Sequence, residues 1–542
     1  MSFVEKYKIW KMRVKDRKLL RELSSMSDEQ ISSAFYKDLE FGTAGIRALM
    51  GAGTNRINIY TVRKITQGVA LYMTNNGLKK VVISYDSRID SSLFAKTAAS
   101  VFAAAGISVF ITPTLMPTPF LSYAVREMGC DIGVMVTASH NPAKYNGYKV
   151  YDSSGCQICE DKAQVIAQFI SKVDAFRVNV HSFEYYLKHN DIVYLQDSVL
   201  NSYIEQVKSV LGETKADVSV VYTPLNGTGY KIVPSVLVDL GCAVKFVEPQ
   251  MEPNGRFPTC HIPNPEKKEA LKRAISLLTE SNSDIAIATD PDADRIGVAY
   301  REGERAVILS GNEIGIILSE HLLRKHKGKK TPLIVRTIVS TSLVDKIADK
   351  YGAQVVTVPT GFKYIGNVIN SLEQSGDADR FLIGFEESQG YLVGSYARDK
   401  DAVVASALVA LIASELKSQG KTLGDRLGEI YDEYGESMHM QLSYKFEGAE
   451  GEQKMKSLFD RLKAEPLESV ACSAVLRLVD YALELDMPTL NVIGYEFDGG
   501  SVIIRPSGTE PLIKLYVSLN MSARQNARMA RLIKKQFSEI FS

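Results

Sequence analysis

The chain has 542 residues, 45% of them hydrophobic and 23% charged, with 64 basic against 63 acidic side chains and a formal net charge of +1. That length predicts roughly three to five domains, and the even charge excludes a generic polyanion binder, which would carry a basic excess. Charges interrupt "MSFVEKYKIWKMRVKDRK" too often for a signal-peptide core, and six scattered cysteines form no disulfide scaffold, so we expect a cytoplasmic protein with no membrane and no nucleic-acid partner.

Residues 1–35 predict a helical extension whose lysines and arginines form a solvated face. From Tyr60 a first unit follows: a helical stretch, "KKVVISYDSR", a small-residue helix through Ala105, "SVFIT", the helix "PFLSYAVREMGC" and "DIGVMVTAS". Short β-branched runs alternating with helices predict βαβ units and largely parallel sheets. This unit ends in "TASHNP", Thr137–Pro142. A serine-hydrolase reading fails there, because GxSxG is absent and His140 is the immediate neighbour of the serine. Adjacent side chains in an extended segment point apart, which argues against His140 as a base for Ser139. Ser139 is then either a capping or turn serine or a carrier of a phosphoryl group. A phosphoserine carries about −1.5 to −2 charge and would complement a cation held elsewhere, with His140 and Lys149 steadying its oxygens. Cys156 and Cys159 form a lone CxxC, too few ligands for zinc, and read as ordinary thiols.

A second unit repeats the order: "VSVVYTPLNGTG", a helix, "AVKFVEP", the helix "PEKKEALKRAISLLTES" and "DIAIATDPDADR". Asp290, Asp292 and Asp294 leave an apolar strand and can turn toward one point, helped by the bend at Pro291. Three carboxylates suit a hard divalent cation such as magnesium. An EF-hand is a poor match, since Arg295 and Arg301 replace its glycine and glutamate. The alternative, a surface acidic turn, fits poorly with emergence from a buried strand, where unpaired carboxylates are costly.

The third unit gives "PLIVRTIVST", a helix, "AQVVTVP", the helix "FKYIGNVINSLEQ" and "RFLIGFEES". Glu386 and Glu387 before Ser388 suit acid–base work or acceptance of hydrogen bonds from vicinal sugar hydroxyls. The apolar run Ala402–Leu416 is short of the roughly 20 residues that cross a bilayer and predicts a buried helix. The tail, "GSVIIRPSGTEPLIKLYVSLN", predicts two antiparallel strands around a turn, then a basic helix. Arg505, Ser507, Gly508 and Thr509 there offer a guanidinium, hydroxyls and turn amides for a phosphate. The predicted fold is α/β: three consecutive βαβ-type domains (1–205, 206–315, 316–435) plus a smaller α+β domain (436–542). Ligands bind at the carboxyl ends of strands in such sheets, so three loops would converge on one small anionic substrate.

In this order, the loops resemble the α-D-phosphohexomutase superfamily of phosphoglucomutases and phosphomannomutases. The likeness runs from "FGTAGIRA" at Phe41 to "RPSGTEP" ending at Pro511, and "EFGTAGIRA" looks most like the branch of bacterial phosphoglucomutase and phosphopentomutase-type enzymes. The resemblance implies four domains around a central cleft, which agrees with three mixed-sheet βαβ-type domains and a smaller α+β domain. Ser139 matches the serine phosphorylated in the active form. Asp290, Asp292 and Asp294 match the magnesium ligands, with the phosphoserine supplying another oxygen and Arg295 following as in the family. Arg47 and Lys149 match basic residues near the transferring group. Glu386 and Ser388 match sugar-hydroxyl binders, and Thr360 and Gly361 a further sugar-contacting turn. Arg505, Ser507, Gly508 and Thr509 match the loop holding the non-reacting phosphate. One departure stands out: Gly390 replaces a histidine of many phosphomannomutase-type members, while Lys400 resembles a lysine of phosphoglucomutase-type members. The general acid/base is left open, and glucose is favoured over mannose.

The implied activity is interconversion of glucose 1-phosphate and glucose 6-phosphate by a phosphoserine enzyme, a monomer or homodimer. It would use one magnesium ion per chain, with glucose 1,6-bisphosphate as intermediate and activator. A hinge near residues 435–445 would let the last domain close and exclude water. The rivals are the same chemistry on pentose or mannose phosphates, a haloacid-dehalogenase-type phosphatase with Asp290 as nucleophile, and a non-catalytic sugar-phosphate sensor.

Overall fold

The computed structural model describes residues 2–42, 45–212, 214–446, 448–487, 489–507 and 512–541. Three sheets share one plan. In the first, Lys80–Tyr85 lies between Ser108–Ile111 and Ile132–Val136, parallel to both. Ser219–Thr223 lies likewise between Ala243–Phe246 and Ile285–Thr289 in the second. In the third, Leu333–Thr337 lies between Gln354–Val358 and Phe381–Glu386. The last strand of each trio then pairs antiparallel with its successor: Ile132–Val136 with Tyr145–Asp152, Ile285–Thr289 with Ile296–Glu302, and Phe381–Glu386 with Gly390–Val393.

That antiparallel return is where the architecture differs from largely parallel pairing. The three polar loops are therefore hairpin connections and not strand-to-helix turns. Each reverses the chain through a non-glycine residue in the left-handed region: Ser139 (φ 49°), Ala293 (φ 50°) and Gln389 (φ 66°). Such residues persist where surrounding structure over-determines them, and they cluster at functional sites. Ile132–Val136 and Ile285–Thr289 are buried along their whole length, as strands covered by helices on both faces must be.

The fourth sheet is antiparallel, in the order Met438–Lys445, Leu512–Leu519, Gly500–Pro506, Ile493–Phe497, Ser473–Asp480 and Ser469–Val470. Helix Ala523–Phe541 covers it with Ile533 and Phe537. The protein thus has an α/β fold of four domains. The first three share a continuous apolar core running through Phe120, Ile287, Val335 and Leu408. The fourth has its own core around Phe459, Ile493, Val517 and Phe537.

Helix Ala402–Ser418 is buried within the shared core. Among the described residues, no single helix is long and apolar enough to cross a membrane. The N-terminal helices Phe3–Arg13, Arg17–Ser25 and Asp28–Phe35 dock through Trp10, which packs edge-on against Phe35, Tyr60 and Phe176. Their basic face also ties them down, through Lys6–Asp38, Arg13–Asp174 and Lys18–Asp90 ion pairs.

The expected divisions at 205 and 315 fall inside helices Asp197–Leu211 and Gly311–Lys325. The division at 435 falls on Gly435, which caps helix Leu423–Tyr434 at φ 96°. A hinge over 435–445 needs correction. Met438–Lys445 pairs along its length with Leu512–Leu519, so Gly435, Glu436 and Ser437 alone lie outside regular structure there.

Candidate active site

The loop after Ile132–Val136 presents Ser139 to the second domain. Its Oγ donates a 2.6 Å hydrogen bond to Asp290 Oδ2 across the domain boundary. Thr137 Oγ1 accepts from the Ser139 amide at 2.8 Å, which fixes the turn. One expectation fails here: Ser139 and His140 do not point apart. The left-handed backbone of Ser139 breaks the extended alternation, and Ser139 Oγ lies 3.2 Å from His140 Nδ1. Burial, reinforced by the cations of Arg295 and Arg47, pushes the His140 imidazole well below its ordinary pKa. It is therefore neutral at physiological pH, a hydrogen-bonding group for Ser139 and a weak base.

The aspartate loop curls around Asp290, whose Oδ1 accepts from the amides of Asp294 (3.0 Å) and Arg295 (3.1 Å). One carboxylate oxygen from each of Asp290, Asp292 and Asp294 lies within 4.8 Å of the others, and all three residues are buried. Asp292 Oδ2 accepts from Lys149 Nζ at 3.0 Å and from Thr118 Oγ1 at 2.8 Å. Lys149 Nζ also stands 3.8 Å, and Lys400 Nζ 3.2 Å, from Asp294.

Burial and the two neighbouring aspartates push Asp290 well above the usual carboxylate range. Asp292 is held low: burial opposes its charge, but Lys149, Asp290 and Thr118 outweigh it. Burial likewise works against Lys400, yet Asp294, Asp399 and Glu386 hold its ammonium above the ordinary value. Two buried carboxylate oxygens, Asp292 Oδ1 and Asp294 Oδ1, have no hydrogen-bond partner. Converging hard oxygens with unspent lone pairs, crowded enough to repel one another, fit a divalent cation.

In the third loop Glu386 Oε1 accepts from the Gly361 amide at 3.0 Å, so the two sugar-contact candidates sit side by side. The neighbouring Thr360 Oγ1 is buried without a partner. Arg295 Nη1 donates to the Ser388 carbonyl (3.1 Å) and to Glu266 (2.8 Å), bridging the second and third loops. The glycine at 390 has a steric reason. A Cβ there would lie 2.0 Å from Lys400 Cδ, so the lysine stem fills the space a side chain at 390 would need.

Arg47, on Ile46–Leu49, is exposed and donates to Asn141 Oδ1 at 2.9 Å. Arg505 sits near the end of strand Gly500–Pro506 opposite Lys514, and Ser507 follows the strand; Tyr516 lies opposite Ile503 on the partner strand. Gly508 and Thr509 lie outside the described residues. The structure thus groups Ser139, His140, Lys149, Lys400 and the aspartates, and separately joins Glu386 to Gly361.

Sequence reasoning overlooked Thr118, Asp86, Arg88 and Asp399. Asp399 holds the Lys400 ammonium at 3.0 Å and accepts from Tyr151 OH at 2.8 Å. Asp86 and Arg88 had a readable signal, since they leave the buried strand "VVISYDSR" as the aspartates leave theirs. Thr118 had none. Of the CxxC thiols, Cys156 is buried and donates to the Lys363 carbonyl.

Family models for phosphoglucomutase/phosphomannomutase match the chain four times. Alpha/beta/alpha domain I matches residues 38–177, domain II 201–303, domain III 310–434, and the C-terminal domain 450–536. A phosphoglucomutase of Staphylococcus aureus (strain MRSA252) is 36% identical over 533 residues, covering 94% of this chain and 95% of that protein. Among solved structures, a phosphoglucomutase/phosphomannomutase family protein of Burkholderia thailandensis shares the fold at TM-score 0.70 and 20% identity, over 92% of this chain and 96% of that one. Parafusin (phosphoglucomutase) of Paramecium, in an open form, does so at TM-score 0.71 and 18% identity, over 93% and 96%.

Proposed function

Because this chain belongs to the phosphoglucomutase/phosphomannomutase family and is a phosphosugar mutase, an isomerase-class enzyme, we propose that it interconverts α-D-glucose 1-phosphate and glucose 6-phosphate through a phosphorylated Ser139. The observation that carries this reading is the 2.6 Å contact between Ser139 Oγ and the three-aspartate cluster. The Oγ–P bond breaks, a bond forms from phosphorus to the free sugar hydroxyl, and the hydroxyl proton passes to a basic group of the cleft. The resulting 1,6-bisphosphate turns over and returns its other phosphate to Ser139.

Phosphoryl transfer asks the protein mainly for position and charge stabilisation. Asp290, Asp292 and Asp294, with an oxygen of the phosphorylated serine, would hold magnesium, which when bound neutralises charge on the transferring group. Lys149 and Lys400 flank the aspartates with two cations, and Arg47 stands beside the serine loop through Asn141. Glu386, Ser388, Thr360 and Gly361 orient the sugar. Arg505, Ser507, Gly508 and Thr509 anchor the distal phosphate, so binding energy there serves orientation at the reacting end.

The test compares rates on glucose, mannose, N-acetylglucosamine and ribose 1-phosphates, with magnesium and catalytic glucose 1,6-bisphosphate present, and maps the protein-bound phosphate by mass spectrometry. Glucose is expected to lead, with phosphate on Ser139. Ribose leading by about tenfold would overturn the substrate assignment, and phosphate recovered on Asp290 would point to a phosphatase instead.

A further inference from the structure

We infer that Arg88 is the positioning residue that sets Ser139 against Asp290, and that the second domain locks Arg88 in place through Gly255 and Phe257. This inference rests on the reading of Ser139 as the phosphoryl carrier. Ser139 sits in the left-handed region, where a serine stays only if its surroundings insist on it. What insists is one buried guanidinium. Its Nη2 donates to the carbonyls of Ser139 and Asn141, and its Nη1 to those of Pro142 and Tyr145, both at 3.1 Å. Only the planar fork of an arginine serves so many acceptors from one side chain.

The other end of the same loop is tied to the same pair. Arg88 Nε lies 3.2 Å from Asp86 Oδ2, with both side chains 0% exposed. Asp86 Oδ2 also accepts from Thr137 Oγ1 at 2.6 Å, and Thr137 Oγ1 holds the Ser139 amide. The loop is therefore gripped before and after the serine. The guanidinium charge offsets the negative ends of the carbonyls it holds, which lessens their repulsion of a phosphoryl dianion on the serine.

The clamp is closed from the second domain. The Phe257 ring covers the guanidinium, 5.0 Å from its carbon to the ring centroid. Gly255 bridges to the Arg88 backbone, and a Cβ on it would lie 2.3 Å from the Ile89 nitrogen and 2.7 Å from Arg88 Cα. The domain that supplies the aspartates thus also fixes the residue that aims the serine at them. Thr118 adds a second tie, donating through its amide (2.9 Å) and hydroxyl (2.8 Å) to Asp292.

Arg88→Lys keeps the charge but cannot reach all four carbonyls, and Gly255→Ala displaces Arg88 without touching the cleft. Both are expected to lower kcat on glucose 1-phosphate about ten- to a hundredfold, with KM within about threefold of the unaltered protein. Free guanidinium ion should restore part of the rate lost in Arg88→Ala. Hydrogen–deuterium exchange of residues 137–146 reads the clamp without any turnover and should rise in both variants while distant core segments stay protected. Unchanged exchange there, or kcat of Arg88→Lys within about twofold of the unaltered protein, overturns the inference. An unaltered protein that turns over no phosphosugar sinks the mutase reading instead, and the exchange data still decide the clamp.

Discussion

The first three domains and the fourth are put together differently. Helices and strands of the first three interlock in one apolar core that runs from Val82 through Ile287 and Val335 to Leu408. The fourth closes its own core and meets the third through an apolar seam, where Ile338 and Val339 pack against Val492, Ile503 and Tyr516. The difference follows the division of labour. Ser139, the aspartates, Lys149 and Lys400 need sub-ångström placement, and close-packed interiors supply it because they deform little. The phosphate-holding role proposed for the fourth domain tolerates more slack, and a hinge at residues 435–437 would let that domain close over a substrate.

The hardest blow to the platform is Ser139→Ala, which removes the hydroxyl proposed to carry the phosphate. We expect turnover to fall roughly 10⁴-fold or more, with the fold intact by circular dichroism; residual activity near normal would mean the phosphate is carried elsewhere. Asp292→Asn should come next, at about a hundredfold or more in kcat. Rates followed against magnesium concentration check it, with partial recovery at high magnesium.

In the fourth domain, Arg505→Ala should act mainly on KM, raising it about tenfold, equivalent to ~1.4 kcal/mol of a charge-assisted contact. Steady-state kinetics would break the comparison if kcat fell as far as in Asp292→Asn, since the two regions would then work as one.

Glu387, which lines one pocket with the seam residues Val339 and Tyr516, should act on stability instead of turnover. Burial and the Glu386 charge push its carboxyl from 4.5 up to about 7. The folded chain therefore binds that proton more tightly than the unfolded chain. The stabilisation is complete below pH 4.5 and is lost as pH rises through about 7. Glu387→Gln should match the unaltered protein in melting temperature at low pH. At pH 8 it should melt higher, by the equivalent of no more than about 3 kcal/mol. Equal melting curves at both pH values would place Glu387 in solvent and not at the seam.

Much of this protein was legible in its sequence because the relevant signals are local. Alternating β-branched runs and helices announce three similar units. "DPDADR" after "IAIAT" places three carboxylates at the end of a buried strand, where proximity along the chain already brings them together. The tail hairpin and the buried helix Ala402–Ser418 follow from residue type and run length. The bend at Ser139 that turns it toward His140 did not follow, because serine has no preference for the left-handed region and takes it only under restraint. Nor did the strand over 438–445, where pairing with Leu512–Leu519 overrides a segment that reads as a linker.

Short-range chemistry thus determined which groups the chain carries and in what order: an alcohol, three acids, a glutamate, a guanidinium. Their meeting was decided only when the domains packed. Ser139 and Asp290 are 151 residues apart, and Arg88 reads as an ordinary strand-end residue until four carbonyls and the Phe257 ring surround it. Backbone preferences reach only a few residues along a chain. Contacts between distant segments exist because burying the shared apolar core holds those segments in one arrangement.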